Sequence, residues 1–408
     1  MNNQELLIYI IEAAILLAAS LILYYKKFFS TVSIERYLFI FLSSIILSLV
    51  SAKVGMSSFE SDSRNFLFDA KLLSSFLEKD VSLYGLFFLT GGNSLYPASY
   101  FPMLDASNTW ANYSSFTIEK YYLFFTLISK STLFNVSLFF GFLSFIAKLL
   151  LIKTAIQLKA DKYVITWLTI LFSIGGTDLY FISGLYKESL LFFFVSYFIY
   201  YFFTEKSKIK HLLAVFILIQ FTLLKFEFAT LFALICVLNY LWQYIRKGNW
   251  QERFISLMVV VISLGILYLS PFYTFIMNRI YRFSFKQIGN TAKEISEFDS
   301  NIITNIKSLI INILSVFYAP LADTRTEFIA IEIYNLLLGI LLLVLIVRVK
   351  LKNSFLFFLL TSLFICSIFI IAFFVPNFGA QLRYRSPFVL LFVFSLILNQ
   401  KYIKKINI

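Results

Sequence analysis

The chain reads as an all-α, polytopic membrane protein, and three observations lead there. Hydrophobic residues fill 60% of its 408 positions and charged residues 14%, whereas a soluble domain is nearer half apolar and a quarter charged. Apolar runs long enough for a helix to cross the hydrocarbon core recur along the chain. Lysine and arginine collect in the short segments between those runs. A soluble enzyme, a disordered chain and a secreted disulfide scaffold are thereby excluded. So is an outer-membrane barrel, whose strands would alternate polar and apolar residues. With 51 Phe and 25 Tyr against 13 Gly, the helices are expected to pack through bulky aromatic side chains rather than glycine seams. The net charge of +13 belongs with the positive loops of a membrane protein and does not call for nucleic acid. Cys236 and Cys366 sit inside apolar runs and His211 is the sole histidine, so no thiol or imidazole metal centre is expected. No cleavable leader is expected, because the run Leu6–Leu23 is long and Lys26 and Lys27 follow it.

In order, the candidate spans are 5–24, 36–53, 133–154, 163–181, 187–204, 211–225, 227–244, 254–274, 328–347, 354–375 and 387–400. That is about eleven crossings at roughly 20 residues each. Between them lie basic clusters at Lys26, Lys27 and Arg36; Lys153, Lys159 and Lys162; Lys206, Lys208 and Lys210; Arg246, Lys247 and Arg253; and Arg348, Lys350 and Lys352. The tail adds Lys401, Lys404 and Lys405. All fall on one side of this layout, which the positive-inside rule makes the cytoplasm. The N-terminus is then outside and the C-terminus inside. The short runs 117–130 and 307–320 are read as juxtamembrane or re-entrant helices. The whole chain, 1–408, forms a single membrane domain with a large outer loop at 52–133 and a second outer region at 275–327. No internal repeat is evident.

The opposite, outer side carries the charges that suggest chemistry. In Glu60-Ser-Asp-Ser-Arg-Asn-Phe-Leu-Phe-Asp-Ala-Lys, residues Ser61 to Ser63 can cap a helix whose apolar stripe is Phe66, Ala70, Leu73 and Leu77. Asp62, at the start of this surface helix, is placed either to act as general base on an acceptor hydroxyl or as a plain cap. Asp69 lies near the same face and reads as a solvated residue. Asp105 or Glu119 offers a second carboxylate or an oxygen ligand for a divalent ion, with turn and capping roles equally open. Asp178, Lys187 and Glu188 are nearly the only charges in a long apolar stretch, and charge at membrane depth suggests function. Lys187 can hold a phosphate oxygen, or pair with Glu188 among headgroups. Lys225 and Glu227 join two spans with no polar loop. Arg383 and Arg385 precede Pro387, which fits the first turn of the last helix. Guanidinium groups at a helix N-terminus make an anion site, unless they are ordinary interfacial arginines. The substrate these residues suit is an amphiphile with an anionic head. No Gly-rich nucleotide loop is visible.

The order of these features resembles the GT-C superfamily of membrane glycosyltransferases, which use polyprenyl-phosphate- or pyrophosphate-linked sugars. A span, a long outer loop opening on an Asp-bearing surface helix, a second juxtamembrane helix and many further spans carry the likeness. Arg-Tyr-Arg-Ser-Pro at 383–387 adds to it. The blocks Ser183-Gly-Leu-Tyr-Lys-Glu, Leu224-Lys225 and Gly379-Ala-Gln-Leu-Arg-Tyr-Arg are similar to those of bacterial O-antigen and capsule repeat-unit polymerases and related membrane proteins. The chain departs from the pattern in having an extra leading span, and Asp-Ser-Arg-Asn-Phe where the family carries Asp-x-x-Tyr. The resemblance implies an inverting glycosyltransferase of surface-polysaccharide assembly in the bacterial inner membrane. Its partners would be a polyprenyl-linked sugar donor and a glycan or lipid-linked acceptor. Asp62 would be the base, with Asp105 as a second candidate, and Arg383, Arg385, Lys187 and Lys225 would hold the donor phosphates. Supporting carboxylates would be Asp69, Glu119, Asp178, Glu188 and Glu227. No metal is assigned, and a divalent cofactor is left open. A lipid-linked oligosaccharide flippase and a non-catalytic assembly partner are the competing expectations.

Overall fold

A computed structural model of the chain describes residues 3–26, 32–57, 62–77, 113–128, 132–204, 207–225, 228–237, 326–349, 354–375 and 378–400, with isolated residues between 310 and 316. Among the described residues the protein is all-helical and contains no strand. The helices are α1 (Asn3–Tyr25), α2 (Ile34–Ser57), α3 (Asp62–Leu77), α4 (Tyr113–Ile128), α5 (Leu133–Gln157), α6 (Lys162–Ile174), α7 (Gly176–Ser183), α8 (Lys187–Phe202), α9 (Lys208–Leu224), α10 (Phe228–Val237), α11 (Thr326–Val347), α12 (Ser354–Phe374) and α13 (Phe378–Leu398). Five are long and apolar enough to cross a membrane, or six if the bent pair α6–α7 counts as one span. Leu7, Ile10, Ile15 and Ile22 on α1, and Leu336, Leu337, Ile340 and Leu343 on α11, are each more than half exposed. Apolar faces of that extent are costly in water and are consistent with a multi-pass membrane protein. The expected span 254–274 lies outside the described residues, as do 238–244 and most of 307–320.

The chain divides into two compact units, Met1–Ala229 and Thr230–Ile408. In the first, α5 is the central helix, packed chiefly against α2 and α8. Its start is fixed by Thr132, whose hydroxyl accepts from the Asn135 amide at 3.2 Å. Asn135 in turn donates to Glu12 on α1 at 2.6 Å. Helices α3 and α4 pack on each other, and α4 also touches α5 and α9. Six consecutive α4 residues, Ile118 to Leu123, are buried. The middle of this helix is therefore enclosed by protein, while Phe124 in the turn that follows is exposed. In the second unit α12 and α11 pack on α13.

Two expected spans take a different form. The run 163–181 is not one helix: α6 and α7 meet at an angle of 71°. The break falls at Gly175-Gly176, where Gly176 has φ 65°, a left-handed conformation that costs glycine little. The last helix does not begin at Pro387 but at Phe378, so Arg383 and Arg385 lie inside it rather than ahead of its N-terminus. Ala380, Gln381, Leu382 and the arginines are good helix formers. A proline within the helix forfeits one backbone hydrogen bond without ending it here.

Candidate functional site

Between α7 and α8 the chain makes a short turn, Ser183 to Tyr186, in which Ser183, Gly184 and Leu185 are buried. Buried backbone polar groups need partners, and here they find them on four different helices. The Leu185 amide donates to Ser51 Oγ of α2 at 3.1 Å. Its carbonyl accepts from the Tyr122 hydroxyl of α4 at 2.9 Å and from Ser63 Oγ of α3 at 3.4 Å. The Gly184 carbonyl accepts from Ser189 Oγ of α8 at 2.5 Å. A Cβ on Gly184 would stand 2.5 Å from Ser51 Oγ and 2.9 Å from Ser51 Cβ, so only glycine leaves room for this approach. From below, Lys148 of α5 donates to Ser183 Oγ at 3.1 Å and to Ser44 Oγ of α2 at 2.7 Å.

Directly after this turn stands Lys187, the first residue of α8 and only 6% exposed. Its ammonium lies 5.7 Å from the centre of the Phe66 ring of α3, a cation–π contact. Phe66 meets Tyr122 of α4 edge-on at 5.7 Å. One helical turn from each ring is an acid: Asp69 follows Phe66 by three residues, and Glu119 precedes Tyr122 by three. Side chains three apart share a helix face, so the aromatic contact brings the two carboxyls together. Both are fully buried. No N–H or hydroxyl donor among the described residues reaches either Glu119 oxygen. Two carboxylates have no proton to share, whereas a carboxylic acid can donate to a carboxylate. Burial above all, then the charge and hydrogen bond of Asp69, push the Glu119 carboxyl up to about 10, with Lys187 pulling the other way. At neutral pH Glu119 therefore keeps its proton and donates it toward Asp69. Lys120, next on α4, is also fully buried, and burial brings its ammonium down to about 8.

The expected site residues fall in different places. Asp69, Glu119 and Lys187 come together, and Glu188 follows Lys187 into the buried first turn of α8. Asp69 is not solvated, because α4 covers the face of α3 that carries it. Glu119 is not a capping residue but lies in the second turn of α4, which starts at Tyr113 rather than 117. Lys187 and Glu188 do not sit among headgroups but inside the protein. Asp62 is the first residue of α3. Asp178 is buried in the first turn of α7, and Lys225 is the half-buried C-cap of α9. Asp105 and Glu227 lie outside the described residues. Arg383 and Arg385 belong to the second unit. The Arg383 guanidinium lies 5.4 Å from the Tyr384 ring. Arg385 is fully buried and donates to the Val316 carbonyl at 2.5 Å and to Asn335 Oδ1.

The turn coincides with the Ser183-Gly-Leu-Tyr-Lys-Glu block between two expected spans, whereas Lys148 is not among the expected site residues. The signal was present, since Lys148 is the one charge between Leu133 and Ile152. The partners of Leu185 gave no signal, because serine and tyrosine are common in such helices. What the cluster offers chemically is a protonated carboxyl, a second carboxyl beside it and a cation. That combination can move a proton and hold an anion. Among the described residues no three carboxylate, histidine or cysteine groups gather as a metal site. Compared with family models, with curated proteins and with solved structures, the chain matches none.

Proposed function

We propose that the protein is an integral membrane glycosyltransferase of bacterial surface-polysaccharide assembly, taking its sugar from a polyprenyl-(pyro)phosphate donor on the outer face of the inner membrane. The observation that carries this reading is the buried Asp69–Glu119 pair beside Lys187, where α3 and α4 meet the head of α8. In the proposed reaction the acceptor hydroxyl attacks the anomeric carbon. Its proton passes to an outer carboxylate, and the bond from that carbon to the phosphate oxygen breaks with its electron pair on the phosphate. Lys187 offsets the charge that grows there, which is where rate enhancement concentrates. Asp69 is the proton acceptor of the pair. Asp62, seven residues earlier on α3, is the base that the family resemblance implies. Lys225 and Arg383 are further cations on the predicted outer side. Whether whole repeat units are joined, as in a polymerase, follows from the acceptor rather than from this chemistry.

The test is transfer from a short-chain polyprenyl-phosphate sugar by purified protein in nanodiscs. Loss of a general base costs about 10²-fold or more. Asp69→Asn is expected to lose that much while Lys187→Met raises the donor concentration needed. Full activity in both Asp69→Asn and Asp62→Asn rejects the acid–base reading.

A second reading, a transporter for lipid-linked oligosaccharides, is favoured by the break at Gly175-Gly176 and by Lys148 within a span. Discontinuous helices and buried charge mark substrate paths in transporters. Movement of a labelled lipid-linked glycan across a vesicle bilayer with no new glycosidic bond would favour it.

A further inference from the structure

We infer that Lys148 is a positioning residue: from inside a span it holds the Ser183–Leu185 turn and thereby sets Lys187 against Phe66 and the carboxyl pair. The inference rests on the proposed role of Lys187 as an anion-holding cation. Lys148 is fully buried in α5, in a run with no other charge. Its ammonium donates to one hydroxyl on α2, Ser44, and to one at the end of α7, Ser183. Ser183 also meets Ser144 Oγ of α5 at 3.0 Å. Hydroxyls alone are weak compensation for a buried charge. Serines in helices also satisfy themselves on their own backbone, as Ser48 does on the Ile45 carbonyl at 2.8 Å. Tethering α2 to α5 would therefore not require a cation. The place where the charge is spent is the C-terminal end of an eight-residue helix, α7, whose final carbonyls favour a positive partner. Directly after that end come Gly184 and Leu185, pinned by α2, α3, α4 and α8, and then Lys187. Releasing Ser183 loosens the start of the turn, which Lys148 and Ser144 of α5 hold. The shift is passed to Lys187 because α8 begins there with Ser189 tied back to Gly184.

The experiment is a double-mutant cycle on purified protein in nanodiscs, reading affinity for farnesyl phosphate and thermal stability together. Lys187→Met is expected to weaken the probe about tenfold, the scale of one charged hydrogen bond. Lys148→Met is expected to weaken it roughly three- to tenfold in the native background and not at all in the Lys187→Met background, because residues that act through one another do not add. Factors that multiply, or native affinity in Lys148→Met, overturn the inference. Should Lys148→Met not fold, Ser183→Ala and Ser44→Ala each remove one bond without a large cavity. They are expected to weaken the probe only when Lys187 is present, while lowering stability equally in both backgrounds. Native affinity in both serine variants overturns it too. Native affinity in Lys187→Met is a different failure: it rejects the anion-holding role of Lys187 and takes the positioning role with it.

Discussion

Glu119 keeps its proton where it is buried against Asp69, and this ties stability to pH. The Glu119 carboxyl rises from its ordinary 4.5 to about 10 in the folded protein. Below about pH 4.5 both the folded and unfolded chains keep that proton, so its contribution is fully present. Above it, the unfolded chain releases the proton and the folded chain does not, so stability falls as pH rises toward about 10. Thermal unfolding in detergent at about pH 6 and about pH 9 is expected to show this fall in the native protein and a smaller one in Glu119→Gln, which keeps the hydrogen and cannot ionise. Equal slopes would remove Glu119 as the titrating group. Arg385 calls for another measurement. Its guanidinium joins Val316 and Asn335, a fork that lysine cannot copy. Arg385→Lys is expected to lower stability by about 1.5–3 kcal/mol, the range for hydrogen bonds to a charged group. A variant with native stability and weakened donor binding would instead return Arg385 to the phosphate. The residues of this site were unevenly legible. Lys187 and Glu188 announce themselves as charges in an apolar run. Asp69 reads as solvated until α4 is known to lie over it, and that pairing depends on contacts across about fifty residues, beyond the reach of helical periodicity.

Elements follow from hydrophobic length where they are long and straight. The spans expected at 5–24, 36–53, 133–154 and 354–375 correspond to Leu7–Tyr25, Ile34–Met56, Leu133–Gln157 and Phe355–Ala372. Hydropathy cannot see a bend, so α6 and α7 merge into one run despite the Gly-Gly pair. It also favours Pro387 as a start because the polar Gln381, Arg383 and Arg385 depress the apolar average before it. The packing of α3 on α2 can be checked directly. A Cβ on Gly55 would lie 3.5 Å from Ser63 Cβ, within the span that a disulfide bridges. Gly55→Cys with Ser63→Cys, in a background with Cys236 and Cys366 replaced, is expected to cross-link under mild oxidation. Failure to do so would detach α3 from the end of α2. The turn offers a harsher test. Gly184→Ala puts a methyl group where Ser51 and the Tyr186 ring, 2.9 Å away, already stand. Overpacking of that kind costs about 1–3 kcal/mol, read as a lower unfolding temperature.

For the molecule as a whole, all-helical membrane character was legible from composition alone, while orientation is a separate matter of charge bias. Under the positive-inside reading, Asn65 on α3 is outside and Lys159 at the end of α5 is cytoplasmic; both are exposed. A Cys at position 65 is expected to react with an impermeant maleimide in intact cells, and one at 159 only after the cytoplasm is opened. The reverse pattern would place the carboxyl pair on the cytoplasmic side and remove the lipid-linked donor from reach. The stapled turn also has a history in time. Leu185 bonds to residues 134, 122 and 63 positions earlier in the chain, and Ser183 to one 35 positions earlier. Apart from Ser189, every partner has left the ribosome before the turn does. The receptor is thus laid down first, from α2 to α5, and the turn arrives as a key entering a finished lock. Until it arrives, the hydroxyls of Ser51 and Tyr122 and the ammonium of Lys148 lack the bonds that Leu185 and Ser183 give them in the finished protein.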